Sequence, residues 1–205
     1  MKKPNQIEST PGLPGAASVP VNLTGVDGPQ IMFEEKRPSL VSLSELDAFN
    51  YTVDYVSYST CDALDDIENK IPRALDYIES KLPPKPEIEG KRVFIGEYGF
   101  AARTYPEPER DRRSRRVMRI GLEWGCPFVL CWQMSNNEFK DGHENGYWLI
   151  DDRGVKQPVY RTHHQFYQSA RRQVSEFRRQ EGRLPTSEEF RRFAFAILDA
   201  IPQAA

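Results

Sequence analysis

The sequence has no long apolar run. No stretch approaches the ~20 consecutive apolar residues of a membrane-spanning helix, and the segment that follows Met1-Lys2-Lys3 has no apolar core of the kind that directs export. We therefore expect no association with a membrane. A cytoplasmic location is the default expectation, and secretion is the alternative if a signal lies on a missing upstream region.

Cysteine is scarce as well. The three cysteines, Cys61, Cys126 and Cys131, are an odd count without the paired spacing of metal ligands, which argues against a disulfide framework and against a zinc site. We interpret all three as free thiols. The neighbouring His163 and His164 fall on different faces of a predicted helix, which argues against a joint metal site. The sequence thus predicts neither a metal nor a cofactor.

Charge of neither sign dominates. Lysine and arginine together number 28 against 30 acidic residues, so the net charge gives no reason to expect nucleic acid or an anionic membrane as a partner. Arginines cluster between residues 110 and 119, but acids are interspersed with them: Glu107, Glu109, Asp111 and Glu123. This mixture favours a solvated outer helix face over a phosphate-binding face.

The most informative stretch is Lys91–Phe100. The apolar run Val93-Phe94-Ile95 lacks polar alternation, which is typical of a strand covered on both faces, as in a parallel sheet with helices outside. Glu97 follows the run, between two glycines that permit close backbone approach. Parallel α/β folds place their chemistry at this end of a strand. A Glu that merely ends the strand and caps the next helix is the alternative.

Two further strand-like runs, 53–59 and 127–133, lie on either side of this stretch, and helical patterns separate all three. We predict a first helix from near Ile71 to Leu82, because Pro72 is tolerated only in a first turn. A second helix is predicted from about Glu109 to Trp124. A last amphipathic helix, from about Ser187 to Ile201 with Thr186 or Ser187 as N-cap, must bury its apolar face on another element.

This order of elements resembles the C-terminal part of a (β/α)8-barrel glycoside hydrolase of the large retaining superfamily that includes cellulases, mannanases and β-glycosidases. The resemblance covers roughly residues 19–168 as strands five to eight, with 19–23 as the fifth strand. It implies an α/β fold of the partial TIM-barrel type, with outer helices. The corresponding domain division is a disordered tail at 1–18, a partial barrel at 19–170 and a C-terminal helical extension at 171–205.

In that superfamily the seventh strand ends in a catalytic Glu, commonly within Gly-Glu-aromatic-Gly, and the eighth ends in a Trp beneath the sugar. The matching residues here are Glu97 and Trp132. The resemblance therefore implies hydrolysis of β-linked oligo- or polysaccharides by retention, with Glu97 as nucleophile and Trp132 as an apolar platform for the sugar ring. Gln133, on the following loop, is a candidate contact for sugar hydroxyls.

The end of the predicted sixth strand departs from the family pattern. The superfamily has a His-any-Tyr motif there, and this chain has Ser59-Thr60-Cys61. Cys is a weak hydrogen-bond donor, and Ser is a poor replacement for an imidazole that contacts sugar. Ser59, Cys61 and Tyr98 are nevertheless candidates for substrate binding, and Ser59 and Tyr98 are also possible donors to the Glu97 carboxylate.

The general acid is missing from the resemblance. In the family it is a Glu that follows an Asn at the end of strand four, and the resemblance here begins at strand five. Asn137-Glu138 has the same dipeptide but lies after strand eight, so we do not assign it this role. A half-barrel also leaves open strand edges and an uncovered inner face.

Three explanations for the half-barrel compete: a truncated piece of a longer hydrolase, a chain completed by a second subunit, and a degenerate module that stands alone. The alternative function is a non-catalytic carbohydrate-binding or assembly module, which Ser59 and Cys61 favour. An unrelated parallel α/β protein is the third possibility.

Overall fold

The described residues form an α/β fold around a small parallel sheet. The structure is a computed structural model that describes residues 53–135, 139–140 and 142–204. In chain order the strands and helices are β1 (Val56–Ser59), α1 (Ile67–Lys81), β2 (Val93–Tyr98), α2 (Glu107–Trp124), β3 (Val129–Cys131), β4 (Phe139–Lys140), β5 (His143–Glu144), α3 (Pro158–Glu181) and α4 (Ser187–Ala200), with a 3-10 turn at Cys61–Ala63. The predicted α/β class is confirmed.

The three strands of the main sheet lie in sequence order, β1-β2-β3, and all of them are parallel. Helices α1 and α2 make the two crossovers, which is the connection that parallel neighbours require. β4 and β5 form a separate two-stranded hairpin in the loop after β3. The predicted tail at 1–18 and the predicted strand at 19–23 lie outside the described residues.

A β-bulge at Gly96 decides which way the end of β2 faces. The register passes from Tyr58 opposite Ile95 to Ser59 opposite Glu97, so β2 carries one extra residue at this point. A Cβ on Gly96 would lie 1.8 Å from Ser57 Oγ and 3.0 Å from Ser57 Cβ, so any other residue there would force Ser57 to shift. Beyond the bulge Tyr98 is buried and Glu97 is exposed.

The core lies between the sheet and its helices. The sheet contributes Val93, Ile95 and Tyr98, and the helices contribute Ile71, Ala74, Leu75, Val117, Ile120 and Leu198. A Cβ on Gly121 would lie 2.4 Å from Val129 Cγ2, so the absent side chain lets α2 pack closely on β3. This packing fixes the strand ends that carry the candidate site.

The predicted start of α1 was wrong. The helix begins at Ile67 rather than near Ile71, and Pro72 lies inside it. Asp66 is the N-cap, with its carboxylate accepting from the Asn69 amide at 3.3 Å. The cap and the burial of Ile67 beside Ile71, one turn apart on the same face, outweigh the hydrogen bond that proline cannot make.

The two C-terminal helices pack together and on α2. α3 runs through the predicted domain boundary at 170/171 without interruption and ends at Gly182, which has a left-handed conformation (φ 69°). Thr186 and Glu189 form a capping box at the start of α4. Ala194, Leu198 and Ile201 bury the apolar face that the sequence predicts for this helix.

A buried ion pair fastens the end of the chain. Arg115 Nε donates to Asp111 Oδ2 at 2.8 Å, and its other nitrogens donate to the carbonyls of Ile201 and Pro202. Thr162 of α3 donates to the second oxygen of Asp111.

Within the described ranges, no helix combines the length and the apolar character that crossing a membrane requires.

Candidate functional site

Glu97 lies at the C-terminal end of β2, and its side chain is exposed on the sheet face opposite to the core. Ser59 Oγ, at the end of the neighbouring β1, donates to Glu97 Oε2 at 3.1 Å. The Thr60 amide donates to the Glu97 carbonyl at 2.9 Å, which fixes the backbone at the same level. The structure therefore brings together the two strand ends that the sequence selects.

Cys61 extends this contact into a row of three side chains. Its Sγ lies 3.4 Å from Ser59 Oγ. A carboxylate can only accept, so the Ser59 proton goes to Glu97 and the Ser59 lone pairs are available to the Cys61 thiol. We call Cys61, Ser59 and Glu97 the carboxylate row. All three cysteines are free, and Cys61 is exposed.

Trp132 lies just beyond β3, the strand that neighbours β2 on the side opposite to β1. Its amide donates to the Tyr98 carbonyl at 2.7 Å, and a Cβ on Gly99 would lie 2.4 Å from the Trp132 carbonyl oxygen. The Trp132–Gln133 peptide is cis. Strand alternation places Trp132 on the same face as Leu130, and both are exposed. Glu97 and Trp132 therefore lie at the ends of adjacent strands on one open face.

Aromatic side chains continue this open face toward the other end of the sheet. Phe128 packs edge-to-face on Phe94 (5.4 Å between centroids) and on Tyr55 (5.7 Å). Tyr55 and Phe128 remain 41% and 49% exposed, and Leu130 remains 50% exposed. An apolar surface of this kind on a sheet is normally covered by another layer.

Tyr98 is not placed to donate to Glu97. The bulge turns it into the core, where it is 1% exposed, and its hydroxyl lies 2.5 Å from His163 Nε2 on α3. The two rings also stack, with centroids 6.1 Å apart. Ser59 is therefore the described side-chain donor to Glu97, and Tyr98 has a different partner.

His163 is a residue whose role the sequence reasoning missed. Its Nδ1 lies 2.7 Å from the Val159 carbonyl, and burial lowers the pKa of the imidazole. Burial likewise raises the pKa of Tyr98, and raises that of the neighbouring Cys131 to about 12. Its spacing in the sequence indicates that His163 lies on the buried face of α3. It shares one helix stripe with Val159, Phe166 and Ala170, all of which are at least partly buried.

Gln133 anchors the base of the loop that follows β3. Its amide donates to the Tyr147 carbonyl at 3.2 Å, and its carbonyl accepts from the Leu149 amide at 2.8 Å. Arg110, which is buried on α2, holds the same region by donating to the carbonyls of Phe100 (2.8 Å) and Trp148 (3.1 Å). The segment after β3 is thus fastened beside Trp132.

The described side chains do not form a metal centre. Among them, no group of three or more His, Cys, Asp or Glu residues is arranged to hold a metal ion. His163 uses both ring nitrogens in the contacts with Tyr98 and Val159. The side chains that the site presents are a carboxylate, a hydroxyl, a thiol and an indole.

In comparisons with known proteins, no protein-family model, no curated protein and no solved structure matches the chain.

Proposed function

We propose that the chain is a segment of a retaining glycoside hydrolase of the (β/α)8-barrel type that acts on β-linked oligo- or polysaccharides. Glu97 is the nucleophile, and Trp132 is the platform for the sugar ring. The observation that carries the proposal is the exposed Glu97 carboxylate at the end of a parallel strand, with a donor from the strand before it and an exposed indole on the strand after it.

The geometry suits nucleophilic attack by a carboxylate. Ser59 holds Oε2 of Glu97, which orients the group and leaves Oε1 to attack the anomeric carbon. A bond forms between that oxygen and the anomeric carbon, while the bond to the leaving oxygen breaks with its electron pair. In the resembled superfamily a second carboxyl, about 5 to 5.5 Å away, protonates the leaving oxygen. No described residue is assigned this role.

The open face of the sheet supports completion of the fold by another element. Parallel strands in sequence order are what a barrel segment requires, although other α/β sheets share this order. The exposed Tyr55, Phe128 and Leu130 need a covering layer. We infer that a missing N-terminal half-barrel, or a second subunit, supplies both this layer and the general acid.

A non-catalytic carbohydrate-binding or assembly module is the second candidate. The carboxylate row favours it, because Ser59 and Cys61 stand where the superfamily has His and Tyr. A single hydroxyl stabilises a carboxylate nucleophile less than several donors do. In this case Trp132 and Glu97 bind sugar without forming a bond to it.

The decisive experiment removes the need for the general acid. A 2,4-dinitrophenolate leaves without protonation, and fluorine at the sugar 2-position slows hydrolysis of the glycosyl-enzyme ester, so that the ester accumulates. The full 205-residue chain is incubated with 2,4-dinitrophenyl 2-deoxy-2-fluoro-β-glycosides of the gluco, manno and galacto series. Intact mass spectrometry then measures covalent addition, and peptide mapping locates it.

We expect one glycosyl group per chain, attached to Glu97, and none in Glu97→Gln. Glu87→Gln, an exposed acid outside the site, serves as the control and should be labelled like the parent chain. Saturable binding of the matching oligosaccharide without covalent addition would support the second candidate instead. Absence of both labelling and binding would reject both functions.

A further inference from the structure

Two neighbouring residues of β2 have opposite environments. The Gly96 bulge directs the Glu97 side chain to the open face and the Tyr98 side chain into the core. The backbone of these two consecutive residues is hydrogen-bonded to the chain on both sides, after β1 and after β3. The Thr60 amide donates to the Glu97 carbonyl, and the Trp132 amide donates to the Tyr98 carbonyl. These backbone contacts therefore connect the position of Tyr98 to the strand ends that carry Ser59, Glu97 and Trp132.

The direction of the Tyr98–His163 hydrogen bond follows from the second contact of His163. The Val159 carbonyl can only accept, so Nδ1 of His163 carries the proton. In a neutral imidazole Nε2 is then an acceptor, and the Tyr98 hydroxyl donates to it at 2.5 Å. The chain of contacts from Glu97 through Tyr98 to His163 thus ends on the backbone of α3.

We propose that the buried Tyr98–His163 pair is a positioning device for Glu97, which holds the carboxylate at the rim only while the imidazole is neutral. The role in catalysis rests on the proposed function, whereas the positioning itself does not. Protonation would leave Nε2 without a lone pair, and the Tyr98 hydroxyl would have to reverse its bond. Its proton would then turn toward Cys131, whose sulfur is a weak acceptor.

The two charged groups that act on His163 have opposite effects on its pKa. Asp111 and Arg115 of α2 are the nearest ionic influences, and they act in opposite directions on the imidazole. They are also bound to each other, with Arg115 Nε 2.8 Å from Asp111 Oδ2. Cys131 of β3 and Tyr98 of β2 are the titratable groups of the adjacent strands on this side, and burial raises the pKa of both. Desolvation therefore decides the state of His163.

The test uses three substitutions and one matched control in the full chain. Tyr98→Phe removes the donor, His163→Phe removes the acceptor, and His163→Gln keeps an acceptor that does not titrate. His164→Gln is the control, since His164 is the next residue on α3 but is exposed and stacks on Tyr160. The first readout is the rate of glycosyl labelling at Glu97 between pH 5 and 8.

We expect labelling to slow by about tenfold to a hundredfold in Tyr98→Phe and in His163→Phe, because small misplacements of a reacting group have effects of this size. The parent chain should lose rate as the pH falls, and His163→Gln should be labelled at close to the parent rate at pH 8 with a flat profile below it. A His163→Gln variant as slow as His163→Phe at pH 8 would overturn the proposal.

A second readout reports on the same geometry without any reaction of Glu97. Cys61 is exposed and ends the carboxylate row, 3.4 Å from Ser59 Oγ, so its rate of reaction with an aromatic disulfide senses the position of the row. Burial raises the pKa of Cys126 and of Cys131 to about 12, which keeps both slow. Cys61→Ser confirms the source of the signal.

We expect this rate to change by about threefold or more in Tyr98→Phe and in His163→Phe, and to be unchanged in His164→Gln. Unchanged Cys61 reactivity in both Phe variants would overturn the positioning role. If the parent chain is not labelled at Glu97, the proposed function fails while the Cys61 measurement still decides whether the pair positions the row.

Discussion

The two faces of the three-stranded sheet carry apolar side chains of similar size, but they differ in what covers them. Val93, Ile95 and Tyr98 face α1, α2 and α3, and each is at most 1% exposed. Phe128 and Leu130 face the other way and remain about half exposed. The carboxylate of Glu97 lies on the open face, and the buried Tyr98–His163 pair lies on the covered face.

The difference between the two faces arises on β2 at one residue, the bulge at Gly96. A regular strand would have placed Ile95 and Glu97 on the same face. The extra residue at the bulge places Glu97 on the face opposite to Ile95. The carboxylate therefore stays in solvent, and the core stays apolar. Burying Glu97 instead would have required a partner for its charge. The covered face therefore supplies the stability, and the open face is available for binding.

The largest expected effect comes from truncating one side chain on each face. Ile95→Ala should lower the free energy of unfolding by about 2 to 5 kcal/mol, because it leaves a cavity in a fully buried site. The matched change on the open face, Leu130→Ala, should cost about 0.5 kcal/mol. Chemical denaturation measures both. Equal losses would mean that the open face is covered in solution by another part of the protein.

The bulge itself can be tested with Gly96→Ala. The new Cβ would lie 1.8 Å from Ser57 Oγ and 3.0 Å from Ser57 Cβ, so Ser57 must shift to admit it. We expect a loss of about 1 to 3 kcal/mol in the free energy of unfolding. The double variant Ser57→Gly/Gly96→Ala removes the obstruction. Its loss in the free energy of unfolding should therefore be smaller than the sum of the losses in the two single variants. Additive losses would contradict this cause.

The covered face also predicts a dependence of stability on pH. Burial lowers the pKa of His163 from its ordinary value of 6.5, so the unfolded chain binds more protons than the folded chain between those two values. The free energy of unfolding should therefore fall as the pH drops below 6.5, with a slope of at most about 1.4 kcal/mol per pH unit for one proton. Urea denaturation between pH 5 and 8 measures the slope.

His163→Gln should remove this slope, and His164→Gln should retain it. The acids that Arg residues stabilise do not obscure the comparison. Hydrogen bonds from Arg112 and Arg113 lower the pKa of Glu109 to about 2, so the stability from that carboxylate is lost only below the range of the experiment. A slope that persists in His163→Gln would assign the effect to another group.

The elements were predictable from the sequence where one local rule dominates. The apolar run of β2, the arginine-rich helix α2 and the capped start of α4 all follow from pattern and capping. The predicted start of α1 is four residues late because it rests on the rule for Pro72, whereas the Asp66 cap and the tertiary burial of Ile67 set the observed start.

The site was predictable in part. Glu97, Ser59 and Cys61 meet because parallel strand ends share one edge of the sheet, which the order of the motifs implies. The role of Tyr98 was not predictable, because alternation does not reveal where a strand takes in an extra residue. The contact with His163 joins residues that are 65 positions apart and needed the packing of α3.

The smallest expected effect concerns two buried threonines that differ in their partners. Thr60 follows β1 and is fully buried, and within the described ranges its hydroxyl has no hydrogen-bond partner. Thr162 on α3 is buried to a similar degree, but its hydroxyl donates to Asp111 and accepts from Arg115 at 2.8 Å. Valine has nearly the shape of threonine, so exchange removes the hydroxyl while leaving most of the packing unchanged.

Thr60→Val should change the free energy of unfolding by between zero and about 1 kcal/mol in the stabilising direction, because a buried hydroxyl without a partner is costly. Thr162→Val should instead cost about 1 to 3 kcal/mol, since it removes one hydrogen bond from each member of a buried ion pair. Thermal and urea denaturation of both variants provide the comparison. A loss in Thr60→Val as large as that in Thr162→Val would show that the Thr60 hydroxyl has a hydrogen-bond partner in solution. That partner would lie at the end of β1, beside Glu97.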